Sequence, residues 1–333
     1  MQDSQLLPPK EKSPTHRWWR LAKLIVTLLI FSYVFRIFRN PESGFSEVLQ
    51  LLGTLFTEKH LISLAVLFLL VPLNWALESI KWRFLAQKAV RISFSEAFRS
   101  TLTGLAVGVA VPAQLGDTIG RITSLKAKSR LRALGAALVS NGIQFYVSIA
   151  GGSIAWFWTG SSLGFSKKLS WSISALLITI LIGGILLGLS RQRLLNWKSE
   201  RLWIVKLKKN LAVVKHYSGK DLTIAFSVGF IRYLVFVTQF TMAFILFEIP
   251  VSTLDTISSV GLIYLVKTLL PAINAIGDLG IREFTALYVF APYHVSSEKV
   301  MAATFLIWLL NILAPLLVGV YFIWKYKWSV RYA

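Results

Sequence analysis

Apolar residues recur along this chain in runs long enough to cross ~30 Å of hydrocarbon. Six runs have full length: Trp19 to Phe38, Leu61 to Ile80, Leu134 to Trp158, Trp171 to Leu189, Leu222 to Phe247 and Val300 to Trp324. Each predicts a transmembrane helix. Two other apolar runs stop early, Ala97 to Val111 and Ile257 to Leu270. At 1.5 Å per residue they reach only ~22 Å, too short to span comfortably. Each stops at a proline and is followed by a second short stretch. The pattern predicts two re-entrant helical hairpins, at about 97–132 and 257–290.

The breaks resemble each other. The first reads VPAQLGDTIGR, Val111 to Arg121, and the second LPAINAIGDLGIRE, Leu270 to Glu283. Pro112 and Pro271 end the first half-helices, since proline lacks an N–H and clashes with the preceding turn. Gly116, Gly277 and Gly280 suit a tight reversal. Asp117 and Asp278 stand where an N-cap belongs. Arg121 and Arg282 each follow their aspartate by four residues, one turn along the same face.

Loop charge sets orientation. Basic clusters fall on alternate loops, the positive-inside pattern. The start of the chain (1–18), the 81–91 loop, the 191–220 loop and the end of the chain are basic; the loops at 39–59, 248–255 and 291–299 are not, or carry acids beside few bases. Both termini are therefore expected in the cytoplasm, and the loop at 191–220, with nine Lys/Arg and one Glu, on the same side. Within it Trp203, Ile204, Leu207, Leu211 and Val214 recur at helical spacing, as in a surface amphipathic helix; a plain basic loop is the other reading. The predicted architecture is all-α and polytopic: a cytoplasmic tail (1–18), a first repeat (19–158) and a second (159–333). Each repeat holds three full spans and a hairpin, so the two insert upside down relative to each other. Inverted repeats with broken helices mark secondary transporters, whose sites lie near the midplane.

Composition agrees. The chain has 333 residues, 55% hydrophobic and only 15% charged, against about a quarter charged in soluble domains. The net charge of +21 does not indicate nucleic acid, because the bases follow the loop alternation. A basic face also attracts anionic headgroups. There are no cysteines, which excludes disulfides and thiolate chemistry. Arg36, Ile37, Phe38 and Arg39 follow the first run, with no small-residue cleavage site, so it reads as an uncleaved span.

Charges deep in a membrane are costly and line polar pathways or pair with one another. Arg121, Arg282, Glu283, Asp117, Asp278, Lys267, Arg232 and Glu78 are the candidates here. Arginines at half-helix ends suit a phosphate. Asn74, Asn141, Gln144, Gln239 and Asn311 either face the same cavity or serve as interhelical hydrogen bonds; Gly104 and Gly108 form a close-packing pair. The four histidines fall in flanks and loops, with no metal-ligand spacing. No Walker motif or nucleophile elbow is present, so no enzyme activity, metal or cofactor is expected.

The segments from Val111-Pro112 through Gly116-Asp117 to Arg121, and Leu270-Pro271 with Gly280-Ile281-Arg282-Glu283, resemble the transmembrane-domain family of lysylphosphatidylglycerol synthases. This family includes stand-alone flippase-like bacterial membrane proteins. The likeness runs from about Trp19 to Trp324. It implies an inner-membrane module that moves a polar-headgroup lipid between leaflets. In two-part synthases a separate soluble domain attaches the lysine; the chain stops after the sixth span, so no such domain is expected. The resemblance carries over to Pro112, Gly116, Arg121, Pro271, Gly280, Arg282 and Glu283. Asp278 stands where the family often has a second glycine. A membrane subunit presenting lipid to a partner glycosyl- or aminoacyltransferase is the alternative.

Overall fold

The computed structural model describes residues 45–110, 115–125, 130–197, 200–270 and 281–325, with Leu21, Leu24, Ile25, Leu28 and Ser32. Every regular element among them is helical. Twelve α-helices follow in order: α1 (Phe45–Thr54), α2 (Leu61–Ala86), α3 (Phe94–Ala110), α4 (Leu115–Thr123), α5 (Arg130–Thr159), α6 (Lys167–Asn196), α7 (Leu202–Asn210), α8 (Gly219–Leu246), α9 (Thr253–Leu269), α10 (Ile281–Phe290), α11 (Ser297–Trp308) and α12 (Ala314–Lys325).

Five segments are long and apolar enough to cross a membrane: 58–86, 132–163, 167–196, 219–246 and 297–325. They match the second to sixth predicted spans. The expected first span lies mostly outside the described residues; its five described positions are helical and exposed. Between the long helices lie two pairs of short ones, α3 with α4 and α9 with α10, where the hairpins are predicted. Pro112, Pro271, Gly277, Asp278 and Gly280 lie outside the described residues.

Local chemistry sets several boundaries. A capping box opens α8: the Asp221 N–H donates to Ser218 Oγ at 3.1 Å, and the Ser218 N–H to Asp221 Oδ2 at 2.8 Å. Ser93 and Glu96 make the same reciprocal pair at the start of α3. Gly164, at φ 70°, closes the turn before α6 in the left-handed region that glycine adopts freely. A π-helical turn, Leu309–Leu313, joins α11 to α12. Pro315 has no N–H to offer the Asn311 carbonyl, so the ladder re-registers there.

The contacts come in matched twos. α2 packs on α8, the helix in the corresponding place of the other expected half. The first helix of each short pair packs on the last long helix of the opposite half: α3 on α12, and α9 on α5. Within each half, α2 touches α3 as α8 touches α9, and α4 touches α5 as α10 touches α11. Aromatic residues fill the centre: Phe240, Phe244, Phe290 and Trp308 are fully or almost fully buried, with Phe244 and Phe290 ring centroids 4.5 Å apart.

α6 is peripheral. Leu177 is its one fully buried residue among those described, while Ile182, Leu186 and Leu189 stand exposed. In water this apolar face would be a liability; against lipid it is the ordinary exterior. α7 occupies part of the predicted amphipathic stretch. The helix is nine residues long. Beyond it Val213 turns inward and is buried with Ala133 and Tyr217, so this segment is partly core rather than wholly surface.

Candidate functional site

The α2 helix carries Glu78 and Lys81 one turn apart, both buried, with Lys81 fully so. The Lys81 ammonium lies 2.8 Å from Glu78 Oε2. Two arginines from other helices converge on the same carboxylate. Arg121 of α4 donates from Nη1 to Glu78 Oε1 at 2.9 Å. Arg232 of α8 brings Nη1 to 3.2 Å from Oε2. Ser140 of α5 donates to Oε1 at 3.4 Å.

A second carboxylate holds Arg121 from behind. Arg121 Nε donates to Asp117 Oδ2 at 2.8 Å, the i, i+4 pairing expected from the motif. Asn141 Nδ2 donates to the same oxygen at 2.8 Å and to Thr118 Oγ1 at 3.2 Å. Lys81 also donates to Gln144 Oε1 at 2.9 Å. Aromatic faces back the guanidinium groups: Arg121 lies 5.9 Å from the Trp82 ring, and Arg232 lies 5.5 Å from Trp75 and 4.9 Å from Phe236. Among the described residues, three cations therefore meet two carboxylates, a surplus of one positive charge. Arg232 Nε is buried with no hydrogen-bond partner among the described residues.

Glycine lets these groups meet. A Cβ on Gly120 would lie 2.7 Å from the Gly104 Cα, and one on Gly116 would lie 2.5 Å from the Val107 carbonyl oxygen. Gly104 and Gly108 of α3 thus interlock antiparallel with Gly116 and Gly120 of α4. The close-packing reading of Gly104 and Gly108 holds. Gly116 departs from expectation: it lies inside α4, in backbone contact with α3, and not at a reversal. Asp117 departs too. It lies in the first turn of α4 rather than at its cap, and its carboxylate accepts from Arg121 and Asn141.

The second motif lies partly outside the described residues. Arg282, in the first turn of α10, is buried and donates from Nη2 to Glu283 Oε1 at 3.0 Å. Lys267, in the last turn of α9, places Nζ 5.5 Å from the Tyr264 ring. Tyr264 in turn is 5.5 Å from Phe236, the ring beneath Arg232. Aromatic contacts thus run from the first cluster toward the second pair of short helices.

Glu78, Asp117, Arg121 and Arg232 were legible candidates, and the fold joins them in one cluster. Lys81 was not: it reads as a basic flank of the second span. Its i, i+3 spacing from Glu78 was the available signal. Three of the amides form interhelical ties instead. Asn74 donates to Asn311 at 3.1 Å, and Gln239 to the Leu67 carbonyl at 3.4 Å.

Among curated proteins, none matches this chain. One protein-family signature does, over residues 20–319. With the apolar helices, that match makes the protein a multi-pass membrane protein related to lipid metabolism, and the chain belongs to the family described as lysylphosphatidylglycerol synthase TM region.

Proposed function

We propose that this chain moves a lipid with a phosphate-bearing headgroup between membrane leaflets, with no covalent chemistry of its own. The observation that carries the reading is the buried cluster of Lys81, Arg121 and Arg232 around Glu78, with its surplus positive charge and the unpartnered Arg232 Nε. Buried intramembrane charges mark polar pathways. Guanidinium forks match phosphate oxygens, and an anion supplies the missing negative charge. Glu78 occupies the place that such a phosphate would take and keeps three cations together. An arriving headgroup exchanges with it.

The matched packing of the two halves supports an inverted repeat. In this reading six helices span, both short pairs are re-entrant from opposite faces, and both termini are cytoplasmic in a bacterial inner membrane. The two halves rock about a central site. Movement is downhill or driven by an ion gradient.

The test is headgroup translocation in proteoliposomes containing labelled phosphatidylglycerol. The wild-type chain is expected to exceed empty liposomes. Arg121→Ala and Arg282→Ala should each slow it about tenfold or more, the scale of one charge-assisted contact. Variants that both match wild type, or a wild type no faster than empty liposomes, would end this reading.

A further inference from the structure

A separate cationic feature lies at the basic end of α2. Arg83, Gln87, Arg91, Ile92 and Ser93 line an open cavity of about 520 Å³. Arg83, in the last turn of α2, and Gln87, the residue that caps it, are four residues apart and share a face. Arg83 Nε donates to the Ile92 carbonyl at 3.3 Å, which holds the 91–93 turn against that face. The terminal nitrogens of Arg83 and the whole Arg91 guanidinium make no ion pair among the described residues. Acids nearby are engaged elsewhere. A Glu96 oxygen accepts the Ser93 N–H at 2.8 Å, and Asp221 pairs with Lys88 at 3.1 Å.

Two uncompensated guanidinium groups, an amide and a hydroxyl thus converge on one cavity. That set recognises an oxyanion with several acceptor oxygens, and planar forks favour phosphate. The surroundings favour a lipid source. Phe94, next to Ser93, is 41% exposed, and its ring lies 6.0 Å from Phe98; Ile80 of α2 is 44% exposed. Apolar side chains beside a phosphate site suit the acyl portion of a lipid and do nothing for a free ion.

We propose that this cavity binds the phosphate of an anionic lipid headgroup, as a site separate from the Glu78 cluster. It does not depend on translocation: a lipid bound here is held at the rim of the helix bundle, whether or not the interior cluster moves one.

The chain has no cysteine, so Ser95→Cys carries a single nitroxide beside the cavity, on the exposed first turn of α3. The nitroxide broadens the phosphorus resonance of phosphatidylglycerol bound nearby in mixed micelles. The labelled full chain should show saturable broadening. Adding Arg83→Gln with Arg91→Gln should weaken the apparent affinity about tenfold or more. Lys167→Gln with Lys168→Gln, at the exposed start of α6, removes the same charge elsewhere and should change it by less than about twofold. Equal losses in the two pairs would reduce the effect to diffuse attraction and overturn the site, as would no loss in the first. Inorganic phosphate competing at concentrations equal to the lipid would overturn the lipid assignment and mark a free-phosphate site. Melting curves matching wild type show that each pair is folded, and Arg83→Lys with Arg91→Lys, which keeps charge but not the forks, should bind with intermediate strength. No transport rate enters this assay, so its failure and the failure of translocation are read separately.

Discussion

Glu78 accepts a hydrogen bond from Arg121 and lies within ion-pair distance of Lys81 and Arg232. Removing it leaves three buried cations facing one another with Asp117 as their remaining acid. Breaking a buried pair from one side costs about 3–5 kcal/mol, and Glu78→Ala should destabilise the detergent-solubilised chain by that order in denaturant melts. Glu78→Gln keeps an acceptor for Arg121 and should lose less. An alanine variant as stable as wild type would mean that the cluster does not form. Lys81→Met removes the surplus cation and keeps most of the volume, leaving two cations with two carboxylates. It should cost no more than about 1.5 kcal/mol, because a balanced buried site tolerates an apolar replacement better than an orphaned charge. A larger loss for Lys81→Met than for Glu78→Ala would reverse this account. Lys81 and Arg83 are two residues apart on α2, yet one is fully buried and the other lines a cavity. Both read alike in the sequence, as basic residues after an apolar run.

The α3–α4 pair places Asp117 and Arg121, and its spacing depends on the absence of four side chains. Gly120→Val would press a Cβ against the Gly104 backbone, 2.7 Å away. Backbone does not give way as a flexible side chain does, so the helices must separate and carry Arg121 away from Glu78. Overpacking of this kind costs about 1–3 kcal/mol, and the melt should fall by that much, with translocation slowed as for Arg121→Ala. Gly142→Ala, where a Cβ meets nothing within 4 Å, should stay within about 1 kcal/mol of wild type. If the two variants behave alike, close packing is not what positions the arginine. The existence of both short pairs was legible from proline and run length, because a helix too short for the bilayer shows in one dimension. The reason for Gly116 was not. A glycine that permits a turn and one that permits contact look the same until the partner backbone is in view.

Matched packing of the two halves fixes a prediction for topology. With no cysteine in the chain, single cysteines at exposed Thr253 and Ser297 should label from one side of the membrane, and those at exposed Ser95 and Lys220 from the other. An impermeant thiol reagent applied to intact cells should reach Thr253→Cys and Ser297→Cys only. If either pair splits, one short helix pair crosses fully and the repeats are not inverted. Arg121 of the first motif joins the Glu78 cluster, and Arg282 of the second pairs with Glu283 beside it.

Span positions, their number from Leu61 onward and the two short runs could be read from the chain alone. Each answers to a local rule: a segment must match the hydrocarbon thickness, and loops must carry the right charge. The helix pairs that exchange partners between halves, and the meeting of α2, α4, α5 and α8 around one carboxylate, could not. In lipid a helix is apolar on most of its circumference, so the hydrophobic pattern that marks an inward face in a soluble protein is nearly silent. Which charges face inward, and which of them meet, follows from packing between residues such as Glu78 and Arg232 that lie far apart in the chain, and that packing exists only in the folded bundle.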